Sequence, residues 1–303
     1  MSTKGKNTGK KQWNIAIFGQ AYKTESIGYI KQLIHFLEKK NCKIALVDEM
    51  ASLLDSEPYA FVETFSGTQT LDSKFDFFIS VGGDGTILRA AGIIKDTNTP
   101  IIGINTGRLG FLATVQKEFL EEAVTALLAR NYRIVKRSLL EVHTDKKIPE
   151  LDVNFALNEV SVSRKNTMSM IMIDTYLDGE FLNTYWADGL IIATPTGSTG
   201  YSMSCNGPIV TPQVQALTLT PIAPHNLSIR PLVIRDDTQI SLKIKSREDM
   251  FLLSMDNRVI SLSDDTKISI QKTGFQLQMI ELHNQSFLKT LREKLLWGKD
   301  IRN

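Results

Sequence analysis

Apolar positions in the first half of the chain recur in two alternating rhythms. Trp13–Phe18 is a short β-branched and aromatic run closed by Gly19. Ser26–Lys40 follows with Ile27, Ile30, Ile34 and Leu37 at helical spacing on one side and Lys31, Glu38 and Lys39 mostly elsewhere. Lys43–Val47 and Phe75–Val81 predict further strands, the second almost wholly apolar, as a strand covered on both faces should be. Thr86–Ile94 predicts a helix, Pro100–Ile104 another buried strand, and Lys117–Arg130 a helix. Strands separated by helices predict a parallel sheet with helices on both faces.

From about Arg133 the rhythm changes to short β-branched runs with few helical intervals: Phe155–Arg164, Ser169–Leu177, Phe181–Tyr185, Leu190–Thr194, Gln239–Lys245, Met250–Met255, Lys267–Gln271 and Phe275–Leu282. Asp178-Gly179 between two of them is a hairpin turn signal. Ser286–Trp297 closes the chain as a helix whose Phe287, Leu291, Leu295 and Leu296 need a surface to pack on, the first domain being the candidate. The expected division is a disordered basic tail over 1–11, an α/β domain over 12–135, a strand-rich β domain over 136–282 and the closing helix within 283–303.

Composition narrows the chemistry. With 42% hydrophobic and 22% charged residues the chain reads as globular, and a formal charge of +2 gives no global attraction to nucleic acid or an acidic membrane. No apolar run approaches the ~20 residues that span a bilayer, and the first residues lack the apolar core of a secretory signal. Cys42 and Cys205 lie far apart without metal-ligand spacing, which argues against a zinc site or a disulfide framework. The expected compartment is the cytoplasm, and any phosphate chemistry must rest on local devices.

The most informative stretch is Val81-Gly82-Gly83-Asp84-Gly85-Thr86, after a buried strand and before a helix. Ligands gather at the carboxyl ends of strands in open α/β sheets, where a helix N-terminus favours phosphate. The glycines let backbone approach a ligand. Asp84 is the residue that a turn does not require. It either caps the helix or serves chemistry, accepting a proton from an attacking hydroxyl, orienting it, or holding Mg²⁺. The chain has no GxxxxGK[ST] loop and no GxGxxG after its first strand, which sets aside P-loop and ordinary dehydrogenase sites.

Gly-Gly-Asp-Gly-Thr after a strand resembles the nucleotide site shared by NAD kinases, diacylglycerol and sphingosine kinases, and phosphofructokinases. The remaining motifs separate them. Asn105–Leu112, the Asn158-Glu159 pair, Asp188–Ser202 continued by Asn206–Ile209, and the stretches Pro221–His225 and Ser228–Leu232 together resemble the NAD kinase family, in order, from about Trp13 to Leu282. That resemblance implies a Rossmann-like or phosphofructokinase-like α/β domain with a β-rich dinucleotide-binding domain. It also implies phosphorylation of the adenosine ribose 2′-hydroxyl of NAD with ATP, or polyphosphate, as donor.

Asp84 is then the expected general base or orienting group. Gly82, Gly83, Gly85, Thr86, Arg89 and Phe111 are expected at the nucleotide. Asn158, Glu159, Asp188, Thr196, Thr199, Gly200, Tyr201, Ser202, Met203, Ser204, Ala223 and Arg258 are expected to line the dinucleotide. Mg²⁺ is expected to arrive on ATP, since no dedicated carboxylate cluster stands out. A homo-oligomer, dimer or tetramer, is expected too, with no nucleic-acid or membrane partner.

Two departures stand out. Trp186-Ala187-Asp188-Gly189 occupies the place of the family's frequent Arg-Gly-Asp-Gly, which removes a cation. Asp256-Asn257-Arg258 replaces the usual Asp-Gly-Gln, with Arg258 a candidate for the missing charge. The competing readings are a lipid kinase, which leaves Asn158-Glu159 and Asp188–Tyr201 without a role, and a non-catalytic NAD(H) sensor, against which Asp84 speaks. His225 is given no catalytic role.

Overall fold

The computed structural model describes residues 12–20, 24–54, 59–71, 74–166 and 169–298; the expected basic tail over 1–11 lies outside them. The first half contains β1 (Asn14–Gly19), α1 (Thr24–Lys39), β2 (Lys43–Val47), α2 (Asp48–Ala51), β3 (Glu63–Phe65), β4 (Phe77–Gly82), α3 (Asp84–Ile94), β5 (Ile101–Asn105), β6 (Val115–Gln116) and α4 (Leu120–Leu128). The second half adds β7 (Tyr132–Thr144), β8 (Phe155–Ala156), β9 (Glu159–Arg164), β10 (Ile171–Leu177), β11 (Glu180–Ala187), β12 (Gly189–Ala193) and α5 (Tyr201–Ser204). It ends with β13 (Ala216–Ile222), β14 (Leu232–Arg235), β15 (Ile240–Lys245), β16 (Met250–Met255), β17 (Arg258–Ser263), β18 (Ile268–Leu282) and α6 (Phe287–Leu295).

The expected parallel sheet is present in the order β5-β4-β1-β2-β3, every pairing in it parallel. Its strands β1, β4 and β5 are buried along nearly their whole length, which is why they carry apolar residues at odd and even positions alike. The order reverses between β1 and β4. Right-handed crossovers on either side of that point put α1 and α3 on opposite faces and leave a crevice at the carboxyl ends of β1 and β4. The Gly82–Thr86 loop sits at that crevice. Beneath it, Ile79, Val81, Ile87 and Ile104 pack at 0–1% exposure, each fully buried side chain contributing roughly 1.5–3 kcal/mol.

The two halves share a sheet. Among the described residues the strands form sheets of twelve and six, and the larger runs through β18, which pairs with β7 along one edge and with β15 and then β5 along the other. β18 is one strand where the pattern predicts two, Lys267–Gln271 and Phe275–Leu282. The chain stays paired with β7 and absorbs the break as a register shift between Lys272 and Gln276. β7 itself crosses residue 135, so the expected 135/136 division falls inside a continuous strand. The second core gathers Val160, Val162, Ile192, Phe251 and Leu253 between the sheets. No described helix is long and apolar enough to cross a membrane.

Candidate active site

Asp84 does not cap α3. The N-cap is Gly83, and no side chain caps the helix. Instead the Asp84 carboxylate reaches the loop after β5: Oδ2 accepts the amide of Phe111 at 2.8 Å, and Oδ1 accepts those of Leu112 at 3.0 Å and Ala113 at 2.9 Å. That loop is shaped from within by Asn105, whose Nδ2 donates to the carbonyls of Arg108 (2.8 Å) and Ala113 (3.2 Å) while its Oδ1 accepts Gly107 N–H at 2.8 Å. Gly110 makes the clamp sterically feasible, since a Cβ there would stand 1.8 Å from Asp84 Oδ1. A carboxylate offers about four lone-pair sites. Three are taken, so half-buried Asp84 keeps one at Oδ2.

A second carboxylate is held in the same way. Asp256, in the turn between β16 and β17, accepts the amides of Leu157 (2.8 Å), Asn158 (2.8 Å) and Glu159 (3.2 Å). This anchors the Asn158-Glu159 pair at the seam, where Leu157 packs into the first core and Val160 into the second. Burial pushes the Glu159 carboxyl up to about 8, with the Asp256 charge adding to it and the Tyr201 amide pulling it down. Burial raises Asp256 too, against its three amides and the Arg258 cation. Glu159 Oε2 is buried without a hydrogen-bond partner among the described residues. Glu159 therefore holds its proton to higher pH than a free carboxyl does.

The Thr194–Ser204 segment wraps around this pair. Thr194 Oγ1 donates to Leu157 O at 2.7 Å, and Gly197 lies so close to Asn158 that a Cβ would meet its carbonyl oxygen at 2.0 Å. A Cβ on Gly200 would stand 2.8 Å from Glu159 Oε2. Part of the hydroxyl-rich run is spent on its own loop: Ser198 Oγ donates to Pro195 O and accepts Val210 N–H, Ser202 Oγ meets Thr220 Oγ1 at 2.9 Å, and Thr199 Oγ1 donates to Thr196 O at 3.2 Å. Tyr201 is exposed, with Met203 and Ser204 following it on α5. Burial and the charges of nearby Cys205, Asp188 and Glu159 raise its phenol.

Asn158, Glu159, Gly200 and Tyr201 thus share one locality, and Asp188 adjoins it. Asp188 pairs with Arg164 of β9 at 2.9 Å, so a cation from the adjacent strand stands beside it where Trp186 stands in place of the family's arginine. Ala223 ends β13 in the left-handed region (φ 43°), and His225 N–H donates to Trp186 O at 2.8 Å. Two expected residues lie apart. Arg89 is exposed on α3 with no hydrogen bond or ion pair among the described residues. Arg258 points inward, donating to the carbonyls of Val153 and Phe155. Asp256 and Asn105 carry more of the geometry than their sequence context signals; their partners lie in folded loops, for Asp256 nearly a hundred residues away.

Fold and site agree on a class. An amide-clamped aspartate at the switch point of a parallel sheet, joined to a β domain whose polar loop wraps an Asn-Glu pair, belongs to a two-domain nucleotide phosphotransferase. The structure is similar to yeast NADH kinase complexed with NADH, with a TM-score of 0.81 and 25% identity, over 96% of this chain and 89% of that one. It is also similar to an NAD kinase from Archaeoglobus fulgidus in complex with ATP (TM-score 0.71, 28% identity, 93% of this chain and 98% of that one). Residues 15–132 match the ATP-NAD kinase N-terminal domain and residues 157–282 its C-terminal domain. The NAD kinase of Flavobacterium psychrophilum is 52% identical over 292 residues, covering 95% of this chain and 99% of that protein. That of Bacteroides fragilis is 39% identical over 287 residues, with the same coverage. The chain belongs to the ATP-NAD kinase family.

Proposed function

We propose that this chain phosphorylates NAD to NADP, transferring the γ-phosphoryl of ATP to the 2′-hydroxyl of the adenosine ribose. The observation that carries the assignment of roles is the Asp84 clamp. Three amides fix the carboxylate and leave one acceptor site at Oδ2. The ribose hydroxyl donates to that site, its oxygen bonds to the γ-phosphorus, the bond to the β-phosphate oxygen breaks, and the proton passes to Oδ2 as ADP leaves. In a loose phosphoryl-transfer transition state the proton departs late, so a fixed acceptor matters more than a strong base. Mg²⁺ belongs to the substrate, entering on the triphosphate and neutralising charge on the transferred group; among the described residues no group of three or more His, Cys, Asp or Glu side chains converges as a metal site.

The dinucleotide lies across the seam. Asn158 and the Glu159 carboxyl offer donors and acceptors to ribose or carboxamide groups, Tyr201 offers a ring and a hydroxyl, and Gly82–Thr86 with Phe111 receives the nucleotide end. Thr196, Thr199 and Gly200 complete the polar wall. We assign the enzyme to the cytoplasm as a homo-oligomer. The test is incubation with NAD, ATP and Mg²⁺, coupled to an NADP-specific dehydrogenase, with polyphosphate as a second donor. Binding of NAD without formation of NADP from either donor would sink the assignment in favour of a sensor.

A further inference from the structure

β7 carries one cation on its inward face. Arg133 and Lys136 face solvent, while Arg137 is 9% exposed and turns inward opposite Leu277 of β18. Arg137 lines a cavity of about 30 Å³ together with Glu281, Phe111, Leu112, Ser286, Phe287 and Thr290. Arg137 Nε is buried with no acceptor among the described residues. Burial lowers its pKa to about 10, with Glu281 pulling the other way, so the group stays a cation at neutral pH. The Glu281 carboxylate is itself hydrogen-bonded to Arg133 at 2.6 Å, so one anion faces two guanidinia.

The opposite wall is the start of α6, a nine-residue helix. Ser286 Oγ accepts only the Lys289 amide, at 3.2 Å. The first amides of a helix have no carbonyl partner within it and carry the positive end of its dipole. Arg137, Glu281 and a helix N-terminus therefore border the same space. The single Glu281 carboxylate serves two guanidinia, one of them with a buried Nε that has no acceptor among the described residues, so the balance favours a further negative charge.

We propose that this cavity binds an oxyanion of the phosphate class, either inorganic phosphate or the phosphoryl end of an organic monoester. On a scale where one water needs ~10–15 Å³, the enclosed space suits a small tetrahedral group. Thr114, Gln285, Ser286 and Thr290 also line an adjoining cleft of about 500 Å³ between α4 and α6, which has room for an organic remainder. Phe111 and Leu112 form the wall shared with the clamp on Asp84, so an anion held here would brace that loop from behind. The site does not depend on the role given to Asp84.

The test is calorimetric titration of the full-length protein with inorganic phosphate, NAD being saturating so that the substrate site is filled. Wild type is expected to bind phosphate at one site, with affinity falling by about tenfold or more in Arg137→Met and less in Arg137→Lys. Equal affinity in wild type and folded Arg137→Met would overturn the proposal, as would loss of phosphate binding on adding NAD to wild type. If Arg137→Met does not fold, Arg137→Lys and the cavity-filling Thr290→Leu decide, and unchanged affinity in both again overturns it. Parallel titration with glycerol 3-phosphate separates the sources. Tighter binding than phosphate assigns a monoester, weaker binding assigns the free ion, and binding of neither rejects the site.

Discussion

Two aspartates in this molecule are held by the same device and put to different ends. Asp84 and Asp256 each accept three consecutive backbone amides, from residues 111–113 and 157–159. The first lies half-buried at the crevice of a parallel sheet, with an acceptor site left over. The second sits in a half-exposed hairpin turn beside Glu159, with its carboxyl group desolvated by the atoms packed around it. The amides fix position in both cases, and solvent access decides what that position is good for. A clamped carboxylate that faces a crevice can meet a substrate hydroxyl; one that is covered can only organise the residues around it.

Replacing the crevice carboxylate tests this most severely. Asp84→Asn keeps an acceptor for two of the amides and removes the proton acceptor, so kcat should fall by about 10²–10⁴-fold while the dissociation constant for NAD changes little. A coupled NADPH assay and calorimetry on the same preparation separate the two quantities. Wild-type turnover in that variant would end the distinction drawn between the carboxylates.

The next largest effect belongs to Glu159 and depends on pH. Its folded pKa, about 8, lies above its ordinary 4.5, so between these values the native state holds a proton that the unfolded chain releases. Stability is therefore fullest below about 4.5, declines as pH rises toward 8 and stays lowered above it, by on the order of 5 kcal/mol for this group alone. Glu159→Gln should remove that slope. Urea unfolding at pH 6 and pH 9 should show the variant gaining on wild type at the higher pH, and parallel losses in the two proteins would place the proton elsewhere.

Truncating the covered carboxylate comes third. Asp256→Ala orphans three amides at the seam and should cost about 3 kcal/mol of stability. The kinetic signature should be a raised KM for NAD with kcat largely kept, since Asn158 and Glu159 lose their anchor while Asp84 does not. A collapse in kcat with intact affinity would mean that the two clamps are not separable in function.

Legibility in the sequence follows the same divide. The Asp84 loop announces itself because glycines, strand and helix are contiguous, and the buried strands show as unbroken apolar runs. What contiguity does not carry stays hidden. Asp256 acts on amides nearly a hundred residues earlier, so its side chain looks like an ordinary hairpin residue. β7 escapes pattern reading because Ile134 is exposed at 37% while Arg137 is buried, the reverse of what the polarity of the two residues predicts. β14 has only four residues, and Val233 there and Val259 in β17 point outward at 50% and 58% exposure, which erases their period. The sheet shared by the two halves depends on β18 pairing across the division, and no local signal specifies that.

The smallest effect concerns Arg258, where resemblance and geometry point in different directions. Resemblance offers it as a cation for the dinucleotide. In the folded chain its guanidinium donates to the carbonyls of Val153 and Phe155, lies 5.9 Å from the Phe155 ring and supports the buried Asp256. An ammonium keeps the charge and loses the planar fork, so Arg258→Lys should cost roughly 1–2 kcal/mol by forfeiting one of the two carbonyl contacts. If Arg258 serves only the covered clamp, kcat is unchanged and KM for NAD shifts no more than about twofold. A KM raised tenfold at unchanged stability would instead put the guanidinium on the substrate, and the seam would then reach the dinucleotide through the residues that anchor it as well as through the Asn-Glu pair.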